Sequence, residues 1–100
     1  MTRPSVLAAV LLAGAMTAVP ADDIGHEAAR RLRQAGLIVP LGDILADVTA
    51  RHPGRVIETE LERDDGRYVY EIELLGDDGR VYEFEFDAAS GERLEFERKH

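Results

Sequence analysis

The sequence predicts an α+β fold in which an N-terminal helix or helices pack on an antiparallel β-meander of three to four strands. Three observations carry this. The spacing of apolar residues changes from a period of 3.6 to a period of 2 near Arg55. Asp65-Gly66 and Asp78-Gly79 punctuate the alternating half, and Asp-Gly between alternating runs is a strong hairpin signal. The 100 residues, 45% hydrophobic and 32% charged, suit one globular domain rather than a disordered segment.

In chain order, residues 1–21 are set apart from the fold. Met1-Thr2-Arg3 is a short positive start, Val6 to Val19 is an uncharged run rich in Ala, Leu and Val, and Ala18-Val19-Pro20-Ala21 offers small residues at a cleavage site. These are the parts of a secretory signal peptide. The run is shorter than the roughly 18–20 residues that span a bilayer comfortably. No cysteine follows it to take a lipid, and no arginine pair precedes it. Cleavage near Ala21 is expected to leave a periplasmic or secreted protein with no stable membrane anchor. It removes one arginine and no acid. The mature chain of 79 residues then sets 11 basic against 20 acidic side chains, a net charge of −9.

Residues 22–40 read as a short helix and linker. Asp22 or Asp23 is the expected cap, Ile24, Ala28, Leu32 and Ala35 the expected apolar face, and Gly36 the stop. Leu37-Ile38-Val39-Pro40 follows, with Pro40 holding Val39 extended. Residues 41–100 form the main unit. A second helix is expected from Leu41 to His52, with Leu41, Ile44, Leu45 and Val48 on one stripe, ended by Pro53-Gly54.

Strict alternation then marks four strands with one buried face. Ile57, Thr59 and Leu61; Tyr68, Tyr70, Ile72 and Leu74; Tyr82, Phe84 and Phe86; and Leu94 and Phe96 are assigned to the apolar side. Phe84 is the expected central anchor. Asp64-Asp65-Gly66-Arg67 recurs as Asp77-Asp78-Gly79-Arg80, which reads as two hairpins built to one local recipe. The Leu41–His52 helix is the natural cover for the apolar face, while the sheet side on which the first helix packs is open.

These residues resemble the PepSY family. The resemblance rests on His52-Pro53-Gly54-Arg55-Val56, Glu60-Leu61-Glu62, Tyr70-Glu71, Gly79-Arg80 and the closing Asp87-Ala88-Ala89-Ser90-Gly91-Glu92, spread over about residues 41 to 96. Ser90 stands where the family more often has Thr. The resemblance implies a module of secreted metallopeptidase propeptides and extracytoplasmic proteins that inhibits or regulates peptidases or binds envelope partners. It brings no catalytic residues with it.

The chemistry-bearing inventory agrees with a non-enzyme. Without cysteine, zinc ribbons, disulfide scaffolds and thiol nucleophiles are excluded. Strong acidity argues against nucleic acid as a partner. Ser90, Thr49 and Thr59 are the serine and threonine hydroxyls of the mature chain, and none has a base nearby in sequence. His26, His52 and His100 lack ligand spacing, so no metal site and no cofactor are expected. His52 is read as serving a capping and charge role.

The alternation places Glu58, Glu60, Glu62, Glu71, Glu73, Glu83 and Glu85 together opposite the apolar face. A solvated face explains this most simply, yet like charges on neighbouring strands are destabilising. Three compensations are open: the Arg30, Arg31 and Arg33 cluster folding back, with Ile24 and Leu32 seated on Val56, Val69 and Leu75; a basic partner; or loosely held divalent cations. The expected function is therefore a non-catalytic exported module that binds, inhibits or regulates a secreted or envelope protein such as a peptidase. Its contact surface is the acidic face or an open sheet edge. The alternative is a low-affinity cation-binding protein using the same carboxylates. A homodimer is compatible with either.

Overall fold

A computed structural model describes residues 22–99. Residues 1–21, where a signal peptide and its cleavage site are expected, lie outside the described residues, as does His100. The elements are β1 (Asp22–Asp23), α1 (His26–Gln34), α2 (Leu41–Arg51), β2 (Gly54–Asp64), β3 (Arg67–Gly76), β4 (Val81–Asp87) and β5 (Arg93–Arg98). The strands form one antiparallel sheet in chain order. The expected meander is β2 to β5, and β1 adds two residues to its β2 edge.

Turn chemistry sets the register. Asp65 and Gly66 both have positive φ (57° and 79°) and join the paired residues Asp64 and Arg67, which makes a two-residue turn whose twist suits a hairpin. The Asp77-Asp78-Gly79 copy folds differently. Arg80 O accepts from Gly76 N at 2.8 Å, and only Gly79, at φ 82°, is left-handed in this loop of three residues. The two copies therefore share residues but not a turn type, which corrects the single recipe read from the sequence.

The core lies on one sheet face. Leu61, Tyr70, Ile72, Leu74, Phe84 and Phe86 are buried there with Ile38, Ile44, Val48 and Ala88. Phe84 is 1% exposed, as expected of the anchor. In β2 the alternation slips. A bulge between Val56 and Glu58 leaves Val56 opposite Leu74 and packed on the core, while Ile57 is 47% exposed. The sequence reading had these two reversed. Alternation cannot register the extra residue, because both neighbours are apolar.

Both helices cover this same face. In α2, Ile44 and Val48 are buried, and Leu41 and Leu45 pack beside them. In α1, Ala29 and Leu32 meet the core, joined by Ile24 just ahead of the helix; Ala35 is exposed. The N-cap is Gly25, without a side-chain cap, because Asp22 and Asp23 pair with Arg63 and Glu62 as β1. Ile24 N donates to Leu61 O at 2.8 Å and extends that pairing. At the other end, Gly36 at φ 77° lets Leu37 N reach Leu32 O and Gly36 N reach Arg33 O, which closes the helix as predicted. Tyr70 Oη donates to Val39 O at 2.5 Å and fastens the interhelical linker to the sheet.

Candidate acidic face

With both helices on the apolar side, no helix among the described residues packs on the other side of the sheet. Cross-strand register assembles its carboxylates into rows. Glu58, Glu73, Glu83 and Glu97 face one another in sequence across β2 to β5, and Glu60, Glu71, Glu85 and Glu95 form the adjacent row. Asp23 pairs with Glu62 and carries the charge onto β1. All seven glutamates assigned from sequence meet on this face. Glu95, Glu97 and Asp23 belong with them and were missed as members. The alternation of β5 had signalled the first two, whereas nothing in the sequence announces the two-residue strand that places Asp23.

The arginine cluster does not fold back onto the carboxylates. Arg30 and Arg31 pair with Glu27 on their own helix at 2.7 and 3.5 Å, and Arg33 acts on Tyr70 across the core side. Ile24 and Leu32 pack on the core rather than on Val69 and Leu75. Internal neutralisation of the rows comes instead from Lys99. Its Nζ lies 2.8 Å from Glu73 Oε2 and 3.8 Å from Glu83 Oε1. At the far end Arg67 stands 3.7 Å from Asp87.

Crowding of like charges moves the proton equilibria. Glu71 is pushed up to about 8, first by a hydrogen bond shared with Glu83, then by partial burial and the Glu83 charge. Glu62 is pushed up to about 7 by partial burial, a hydrogen bond with Glu60 and the Glu60 charge. Glu73 raises Glu58, and burial followed by Glu95 and Glu83 raises Glu85. Two carboxylate triads have oxygens within 4.8 Å of one another: Asp23, Glu60 and Glu62, and Glu71, Glu83 and Glu85. These are the residues that could hold a cation.

Two of the remaining chemical candidates, Ser90 and His52, are engaged structurally. Ser90 Oγ donates to Asp87 Oδ2 at 2.8 Å and accepts from Glu92 N at 3.1 Å, while Gly91 N reaches Asp87 O. The Asp87-to-Glu92 motif is thus a turn lock. His52 does cap α2, its N donating to Val48 O at 2.9 Å, but its ring packs against Phe84 and Phe96, with centroids 4.7 and 5.3 Å away. Ring packing is thus added to the capping role read from sequence. Pro53-Gly54 is a crossing point: Pro53 O accepts from Asp77 N, and Gly54 lies against the backbone of Leu75 and Gly76.

Comparison with known proteins adds one finding. Residues 38–97 match the family described as "Peptidase propeptide and YPEB domain". The chain belongs to the PepSY family. The match spans the linker, α2 and β2 to β5, and it includes every residue group that carried the sequence resemblance. No curated protein and no solved structure matches the chain. PepSY domains occur in exported proteins and are generally propeptide or inhibitory modules, which is compatible with a non-catalytic role here. Among the described residues no helix is long and apolar enough to cross a membrane.

Proposed function

We propose that this PepSY protein is an exported, non-catalytic module that binds a secreted or envelope protein, such as a peptidase, and restrains it. The acidic face is the contact surface. One observation carries this: two glutamate rows run across four strands on a face that neither helix covers. Such a face is costly to keep, since like charges directly opposite each other weaken a sheet by a few tenths to about 1 kcal/mol per pair. A basic surface laid over it relieves that repulsion. Export is supported by the signal-like residues 1–21 and by the company PepSY domains keep. The absence of catalysis is supported by the structural engagement of Ser90 and His52.

The experiment is capture from envelope extract with the wild-type chain and with Glu58→Lys, Glu60→Lys and Glu71→Lys combined. Loss of a partner on charge reversal is expected. Unchanged capture removes the acidic face from the proposal. The two carboxylate triads favour a second reading, loose binding of divalent cations. Calorimetric titration with calcium separates the two, and the absence of both heat and a melting shift at millimolar calcium eliminates the second.

A further inference from the structure

A sheet has two edges, and here they are treated differently. The outer edge of β2 is bent by the bulge at Ile57 and covered at Glu62 and Arg63 by β1. Both devices block strand addition. Among the described residues the outer edge of β5 carries no strand, and beyond an irregularity at Leu94 the segment Glu95–Arg98 is regular. Lys99 N donates to Val81 O at 2.7 Å. Alternate residues turn their N–H and C=O to opposite sides, so Glu95 and Glu97 bond to β4 while Phe96 and Arg98 present theirs outward.

The side chains beside this edge are specific in kind. On the helix side Phe96 remains 43% exposed, supported by Phe84, His52 and Tyr82 at centroid distances of 4.9, 5.3 and 5.7 Å. The irregularity sets Arg93 rather than Leu94 opposite Phe86, which corrects the placing of Leu94 on the apolar side by alternation. On the opposite face Glu95 and Glu97 end the two glutamate rows.

We propose that β5 is an acceptor edge for an extended partner segment in which Lys or Arg alternates with apolar residues, added as a further strand. This rests on the reading of the chain as a binding module and names how its partner docks. Alternation delivers basic groups to the carboxylate face and apolar groups to Phe96 in a single register. Main-chain bonds to Phe96 and Arg98 supply affinity, and the two faces supply specificity. Lys99 already shows the pairing within the chain, a lysine lying across Glu73 and Glu83. A second copy of the chain fits poorly. Antiparallel β5–β5 pairing would set the Glu95 and Glu97 side of one copy against the same side of the other, and like charges opposite each other repel.

The test uses the whole chain and two synthetic octapeptides of identical composition: one alternates Lys and Val, the other places four Lys before four Val. Calorimetry should show the alternating peptide binding about ten-fold more tightly, the scale of one or two additional backbone hydrogen bonds. Arg98→Pro removes an outward N–H at an edge position that tolerates proline, and should weaken binding about five-fold. Arg98→Ala, which loses the same charge but keeps the N–H, should not weaken it.

Hydrogen exchange on the unsubstituted chain gives a reading free of folding effects. The amides of Phe96 and Arg98 should slow in the presence of the alternating peptide. Equal affinity for both peptides, no binding of either, or unprotected Phe96 and Arg98 amides overturns strand addition. Such a result leaves the acidic face itself to be judged by capture from extract.

Discussion

Gly54 shows how a family signature becomes geometry. A Cβ added there would fall on the Leu75 carbonyl oxygen and 2.9 Å from Gly76 Cα, where no flexible side chain can yield. Gly54→Ala is therefore expected to destabilise by more than about 1 kcal/mol in denaturant melts. Gly42→Ala, in open space within α2, serves as the control and should be neutral or stabilising. Asp87 makes the matching case at the last hairpin. It accepts from both the N–H and the hydroxyl of Ser90. Asp87→Ala should cost about 1–2 kcal/mol, whereas Ser90→Thr keeps the hydroxyl and should be silent. These residues were legible because turn chemistry is local. Ile57 was not, since a bulge between two apolar neighbours leaves no mark in the pattern.

At the scale of elements, the period of α2 and the alternation of β3 and β4 specified both their form and their buried faces. The α1 segment was harder. Its apolar stripe shows that it must pack, but not on which side of the sheet, and charge attraction suggested the acidic side. Burial decided otherwise: Leu32, Ala29 and Ile24 gain more from joining Leu61 and Tyr70 on the core than from lying on a surface of carboxylates. Leu32→Ala should consequently destabilise the fold by about 1–3 kcal/mol, read from the shift in urea midpoint. Arg31→Ala, on an exposed ion pair, should change it by less than about 0.5 kcal/mol. If α1 lay on the acidic face, the arginine would be the more damaging loss.

For the whole molecule, the net charge of −8 matters less than its arrangement. Register turns a scattered excess of acid into two rows, and the proton equilibria of the rows couple folding to pH. Glu71 and Glu62 lie at about 8 and about 7 in the folded chain, and Glu58 and Glu85 are raised as well. Between the usual carboxylate range and these values, the folded state holds protons that the unfolded state has released. Stability from these groups is thus complete below pH 4–5, roughly where free glutamate titrates, and is lost as pH rises through about 8. Asp78, held down chiefly by its hydrogen bond from Tyr82, acts oppositely, but only below its ordinary range. The melting temperature should therefore rise as pH falls from 8.5 to 5. Glu71→Gln should raise it at pH 8.5 and flatten the profile, because the amide keeps a donor for Glu83 without a second charge. Salt at 0.5 M should raise it at pH 8.5 and do little at pH 5, since screening relieves only charges that are present. A melting temperature that stays flat or falls between pH 8.5 and 5 would contradict the coupling of the rows, and with it the repulsion that a basic partner is proposed to relieve.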